Sequence, residues 1–284
     1  MKKVKIVYSS KCLKYKDSGH PESPIRISKA AEYLKSQDYD FVKPKPASEK
    51  DILSVHNHDL VSRIKKGNFF EASTPNLDNI YKFALLSAGA AIEAASNCEK
   101  GDIGFSLMRP PGHHAEKNRL GGFCYFNNIA IAAKKLLDKD KKIAIIDFDC
   151  HHGQGTEDIF KDCNGIIIVS LHQVGIYPNT GYETDNNSHN FPLFELTGDK
   201  DYLKLFDKAI DEVRKFNPDV VAVSAGFDAY KNDPLTEMNL SIEAFKEIGK
   251  KIISLKKPVF SVLEGGYSDD LYKCIEAYLI GLES

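Results

Sequence analysis

The sequence lacks any C-x-x-C pair: its six cysteines, Cys12, Cys98, Cys124, Cys150, Cys163 and Cys274, are scattered. That disfavours a zinc ribbon or a thioredoxin-like redox site and makes a reducing cytoplasm the expected compartment. Free cysteine is most often simply buried. Cys124 and Cys150 stand apart only because they lie inside motif-rich stretches. No apolar run approaches the roughly 18 residues of a membrane span, and the opening "MKKVKIVYSS" lacks the apolar core of a signal peptide. Neither membrane insertion nor secretion is expected. Charge of one sign is also missing. The formal net charge is −2, so no global basic field draws the chain to nucleic acid or anionic lipid. There is no internal repeat and no low-complexity linker, and nothing in the composition sets an oligomeric state.

What is present is ordinary globular material: 284 residues, 42% hydrophobic and 27% charged. One α/β domain over residues 1–284 is the simplest expectation, with chain enough for a substantial core. Short apolar runs predict strands at 4–9, 102–107, 142–149, 165–172, 219–226 and 258–266. Several are continuous rather than alternating, which suits strands buried on both faces of a parallel sheet. Helical patterns lie between them at 79–99, 127–139 and 201–216. Strand–helix alternation predicts a layered fold, a mainly parallel sheet flanked by helices. "VKPKPASEK" (42–50) reads as a surface connection and "YPNTGYETDNNSHN" (177–190) as a long polar loop.

The chemistry collects just after strands, where open α/β sheets bind ligands. In "DFDCHHGQGT" (147–156), Asp147, Asp149, His151 and His152 follow an apolar run. If 147–151 stays extended, Asp147, Asp149 and His151 share one face, and a carboxylate and an imidazole close on one cation. The bland alternative is a solvated strand end. "RPPGHHAE" (109–116) is a stiff turn presenting His113 and His114 side by side, and histidine is the usual general acid–base. "SAGFDAY" (224–230) sets Asp228 just past a strand, where a helix N-cap is the plain reading. "LEGGY" (263–267) brings Tyr267 after Gly265 and Gly266, whose backbone can approach a ligand; a packed aromatic is the bland reading. Jointly the parts fit one reaction. Asp149, His151 and Asp228 are three ligands with one position left open, the catalytic rather than structural zinc pattern. A histidine takes the proton of the attacking water, and Tyr267 donates to the developing oxyanion. Zinc is the default metal, though an oxygen-rich set with one imidazole also suits ferrous iron.

The ordered set "HPESPIR" (20–26), "RPPGHHA", "GFCYFNN" (122–128), "DFDCHHGQGT", "SLH" (170–172), "AGFDAY" and "EGGY" resembles the zinc-dependent histone deacetylases and related bacterial and archaeal deacetylases. The resemblance implies the arginase/deacetylase fold. It implies zinc held by Asp149, His151 and Asp228, His114 as general base and then acid, and His113 as its electrostatic neighbour oriented by Asp147. It also implies Tyr267 as oxyanion donor and Phe123 and Tyr177 as walls of an acyl-lysine channel. Gly122 would offer its carbonyl to the substrate amide, beside Leu235 and Gly266, and Arg26 would sit near the floor. A structural potassium is implied at Asp147, Ser170 and Leu171, with the backbone of Asp149 and His151.

Three positions depart from the common pattern. Gln154 stands where many members carry Asp beside the second histidine, while the class II type carries neutral Asn. A neutral partner should leave the pKa of His114 lower. Ser73 replaces an Asp that clamps the substrate backbone, and Tyr177 replaces Phe. Leu235 stands where relatives specialised for acetylated polyamines place Glu, so an apolar rim favours acyl-lysine, with Asp233 or Glu237 as nearby substitutes for that carboxylate. The first expectation is therefore an amidohydrolase acting on an acyl-lysine protein or a small N-acyl amine. Two other classes stay open. One is a non-catalytic acyl-lysine-binding scaffold. The other is a phosphatase using "DFD" as aspartyl nucleophile, which leaves both histidine pairs and Tyr267 idle.

Overall fold

The runs "IAIID", "VVAVSA" and "VFSVL" have no polar face to turn to water, and each is buried from end to end. They form the middle of the sheet in the computed structural model, which describes residues 3–284. The strands are β1 (Val4–Val7), β2 (Asp40–Val42), β3 (Ile103–Ser106), β4 (Ile143–Asp147), β5 (Ile166–Gln173), β6 (Ser188–Leu193), β7 (Val220–Ala225) and β8 (Val259–Leu263). The helices are α1 (Pro24–Ser36), α2 (Glu49–Ile52), α3 (His58–Lys66), α4 (Ile80–Glu99), α5 (Asn128–Leu137), α6 (Gln154–Phe160), α7 (Asp199–Phe216), α8 (Ile242–Ile253) and α9 (Leu271–Leu282). The eight strands make one sheet in the order β2-β1-β3-β8-β7-β4-β5-β6, with every neighbouring pair parallel.

The flanking helices are amphipathic. α7 buries Tyr202, Phe206, Ala209, Ile210 and Val213, the spacing of one helical stripe. Its first turn carries Asp199 and Asp201 and its last Arg214 and Lys215, so charge complements the helix dipole at both ends.

The parallel order has one consequence for chemistry. The carboxyl ends of β3, β8, β7, β4 and β5 lie side by side; the first four feed the RPPGHH, EGGY, GFD and DCHH segments, and SLH forms the end of β5 itself. Asp147 pairs across with Ser170 on one side and Ser224 on the other.

All six expected strands are present, most of them trimmed by a residue or two. Two more were not expected. β2 and β6 are the edge strands, and neither is a continuous apolar run. β6 begins inside the stretch expected to be loop and contains Pro192, a residue that edges tolerate. The 42–50 connection is not free, because Ala47 N–H donates to the Leu85 carbonyl of α4 at 2.8 Å.

A buried ion pair ties the N-terminal segment to the end of β3. Arg109 is 1% exposed. It donates from Nε and one terminal nitrogen to both carboxylate oxygens of Glu22, each at 2.7 Å, and to the carbonyls of Cys12 and Tyr15. Tyr15 Oη and Arg26 also donate to Glu22. Burial raises the Glu22 carboxyl pKa, but the two arginines outweigh it and hold the group below its usual value. The Glu of "HPESPIR" and the Arg of "RPPG" are thus partners in one charge-assisted network.

Candidate active site

β4 ends at Asp147, two residues before the expected strand end at 149, and the chain beyond it does not stay extended to 151. Carboxylates bend the chain instead. Asp147 accepts from the N–H of Asp149 at 3.1 Å, and Asp149 accepts from the N–H of His151 at 2.9 Å. Asp147 and Asp149 therefore serve different partners. Asp147 Oδ2 lies 3.0 Å from His113 Nδ1. Asp149 and His151 turn toward Asp228, which follows β7: His151 Nδ1 is 2.8 Å from Asp228 Oδ2 and 3.3 Å from Asp149 Oδ1. One ligand atom from each of Asp149, His151 and Asp228 lies within 4.8 Å of the others.

Two adjoining carboxylates this deeply buried repel each other. Burial raises Asp149, but His113 and His151 outweigh it and hold it well below the usual range. Asp228 is pushed up, by burial first and then by the charge of Asp149. Their spare acceptors are occupied by backbone, Cys150 N–H on Asp228 at 2.8 Å and Gly265 N–H on Asp149 at 2.7 Å. A side chain at 265 would place its Cβ 2.6 Å from Oδ2 of both carboxylates, which accounts for the first glycine of "EGGY".

The two histidines of the RPPGHH turn differ sharply. Burial works against a charged His113, but Asp149 and Asp147 outweigh it and push its pKa up to about 10. Burial and the neighbouring charges of His113 and His151 push His114 well down. Gln154 Nε2 donates to the His114 carbonyl at 3.2 Å, which orients the amide so that its oxygen meets His114 Nδ1 at 2.7 Å. Nδ1 therefore carries the proton, and Nε2 keeps its lone pair. The turn rests on Glu264, whose carboxylate accepts from the N–H of Gly112 at 2.6 Å and of His113 at 3.2 Å.

Beside the cluster of Asp149, His151 and Asp228 is a cavity of about 210 Å³ lined by His113, His114, Asp149, His151, Gly122, Phe123, Tyr177, Leu235 and Tyr267, with Ser73, Pro111 and Gly265. Phe123 meets Tyr267 edge-on at 5.8 Å between ring centres, and Tyr177 meets His114 edge-on at 4.9 Å. Gly122 and Phe123 both have positive φ, +56° and +70°. The second is a costly conformation for a bulky residue. Thr74 Oγ1 holds the Phe123 N–H, Ser73 Oγ holds the Gly122 N–H, and the His20 ring meets Phe123 edge-on. Ser73 Oγ in turn donates to Glu71, so a carboxylate stands behind the serine at the mouth. Burial raises the Tyr267 pKa well above its ordinary value, so its phenol stays a proton donor.

Most of the expected site residues converge. Asp147 lies behind the cavity, joined to His113. Gln154 meets His114. Arg26 stacks over Tyr267, its guanidinium carbon 4.5 Å from the ring centre, and donates to the carbonyls of Gly266 and Glu264. Gly265 rather than Gly266 lines the cavity, because a Cβ on Gly266 would point at Leu271 and Phe227. Ser170 Oγ is 2.9 Å from His172 Nδ1, and Leu171 is buried beside it. Asp233 is 7% exposed and turned inward, so it offers no carboxylate to the rim; Glu237 is exposed and does not line the cavity. Cys124 and Cys150 are buried, and burial pushes both thiols well up, so neither is a nucleophile. Glu22, Arg109 and Glu264 were not singled out in the sequence, because each acts through a partner distant in the chain; Glu71 was not singled out either, since a carboxylate two residues before a serine carries no signal of its own.

The model of the histone deacetylase domain matches residues 20–282. The chain belongs to the histone deacetylase family. Within that family it is 35% identical over 293 residues to a "Probable deacetylase" of Archaeoglobus fulgidus, covering 93% of this chain and 81% of that one. It is 34% identical over 208 residues to an acetylpolyamine amidohydrolase of Burkholderia pseudomallei, covering 69% of this chain and 61% of that one. The crystal structure of the HDA15 HD domain superposes with a TM-score of 0.92 at 28% identity, covering 98% of this chain and 91% of that one. The protein is thus a histone deacetylase-family deacetylase with that family's fold. No helix among its described residues is long and apolar enough to cross a membrane.

Proposed function

We propose that this protein, as one catalytic domain over its length, hydrolyses the side-chain amide of acyl-lysine with the help of a zinc ion. The observation that carries the reading is the cavity itself. Two aromatic walls lead to a cluster of two carboxylates and one imidazole, with a neutral histidine and a phenol at the same depth. The donor set fits a divalent ion. Two oxygens and one nitrogen suit zinc, with ferrous iron a second candidate, and a dication relieves the repulsion between Asp149 and Asp228. A bound ion there supplies Lewis acidity, polarising a carbonyl and acidifying water.

The chain's own groups do the rest. Phe123 and Tyr177 sandwich an aliphatic chain and exclude water. The Gly122 carbonyl, which the Cys124 thiol also approaches at 3.3 Å, accepts the substrate N–H. His114 Nε2 takes the proton of the attacking water and returns it to the leaving amine. His113, held cationic by Asp147 and Asp149, keeps His114 neutral until it accepts that proton. Tyr267 donates to the oxygen on which charge develops. Asp147 and Ser170, adjacent across β4 and β5, are proposed with Leu171 and the backbone of Asp149 and His151 to hold a structural potassium ion.

A small N-acetylated amine is the second reading, supported by the carboxylate of Glu71 behind Ser73, which lines the cavity, and by the acetylpolyamine amidohydrolase relative. Acetate release from acetyl-lysine peptides, longer acyl-lysines and acetylpolyamines, assayed with zinc restored, separates the two. Greater kcat/KM on peptides supports the first. No release from any of them, with phosphate released from a generic ester, returns the aspartyl-nucleophile reading, which leaves His114 and Tyr267, both lining the cavity, without a role.

The partner of His114 sets the pH range. Gln154→Asp places a carboxylate against Nδ1, which stabilises imidazolium and raises the pKa of His114. The base is then protonated up to higher pH. The acid limb of the kcat/KM profile is expected to move upward relative to the unaltered enzyme, and an unmoved limb would remove His114 from the role of base.

A further inference from the structure

Tyr267 follows two glycines, so its position is not fixed by local backbone preference. A phenol that stabilises a developing charge has to be held within a few tenths of an ångström. One group that holds it is a carboxylate from a separate loop. Asp233 Oδ2 accepts the Tyr267 N–H at 2.6 Å, and Oδ1 of the same carboxylate accepts the Leu235 N–H at 3.0 Å. Leu235 and Tyr267 both line the cavity, and Asp233 itself does not. The carboxylate is buried, and no salt bridge reaches it among the described residues. Burying such a group costs free energy, and here it tethers the backbone of one channel wall to the backbone of Tyr267.

We propose that Asp233 is a positioning residue. It sets the placement of Tyr267 for oxyanion stabilisation and couples that placement to the channel wall at Leu235. The inference rests on the proposed role of Tyr267.

Asp233→Asn keeps size and shape but replaces one acceptor with an N–H donor, so one of the two backbone N–H groups loses its partner. In the metal-loaded enzyme, kcat on an acetyl-lysine peptide is expected to fall about 10–100-fold, as for other groups that orient a reacting residue. KM should stay within about twofold and metal content unchanged. The deciding measurement is the same substitution in a Tyr267→Phe background. With no hydroxyl left to misplace, Asp233→Asn should alter turnover by less than roughly twofold there, a coupling that a structural role would not produce. Asp233→Ser, whose single oxygen sits one bond nearer the backbone than either carboxylate oxygen, should lose at least as much kcat. An equal loss in both backgrounds overturns the proposal, as does failure of both Asp233 variants to melt cooperatively. If Tyr267→Phe alone leaves kcat unchanged, the oxyanion role of Tyr267 fails instead, whatever Asp233 does.

Discussion

Replacing Asp228 with alanine is expected to abolish metal binding and turnover together. Asp228 is fully buried and supplies one of the two carboxylates of the cluster. Its loss leaves one carboxylate and one imidazole, too little negative charge and too few donors for a dication in a buried site. Affinity should fall by more than roughly a hundredfold, since groups that only orient a metal ligand are already worth about 10–100-fold. Asp228 Oδ1 also accepts the Cys150 N–H, so alanine removes a structural bond as well. Asp228→Asn keeps a neutral acceptor for that bond and should still bind metal poorly. Metal per chain, measured by elemental mass spectrometry beside kcat, decides the matter. A variant that held its full metal would take Asp228 out of the ligand set.

Tyr267→Phe should do the opposite to the metal and nearly the same to the rate. Only the hydroxyl is removed. The ring still lies under Arg26 and edge-on to Phe123, and the backbone N–H still reaches Asp233. Fold and metal content should therefore be unchanged. One oxyanion donor is worth about 10²–10³ in kcat, or roughly 2.7–4 kcal/mol. The loss should fall on kcat with little change in KM, because the phenol acts on charge that forms only in the transition state. Undiminished kcat in the metal-loaded variant would reject the role.

Much of the frame was legible. β4, β7 and β8 are continuous apolar runs, and strands buried on both faces leave that mark. β6 does not: "SHNFPL" sits at an edge, where half the backbone and most side chains need no apolar partner, and the polar loop expected over 177–190 overlaps its first three residues. The strand expected over 142–149 stops at Asp147. The carboxylates of Asp147 and Asp149 capture the backbone N–H groups two residues on, and the chain bends. The candidate ligands were legible as residue types placed just after strands. Their supports were not. Glu264 serves Gly112, 152 residues away, and Asp233 serves Tyr267, 34 residues away, and both bonds are to backbone N–H groups that carry no residue-specific signal.

Which donors exist, their order along the chain and the strands that carry them can be read from the residues alone. Apolar periodicity and the costs of buried charge are local enough to be read from residues alone. Only the tertiary structure decided which donor faces which. It assigned Asp147 to His113 and Asp149 to the cluster with His151 and Asp228, turned Asp233 inward, and placed Gly265 rather than Gly266 against the carboxylates. Those choices follow from the parallel order β3-β8-β7-β4-β5, which sets five strand ends side by side, and from hydrogen bonds across that row. Both are long-range pairings, set by how the whole sheet assembles and not by any local pattern.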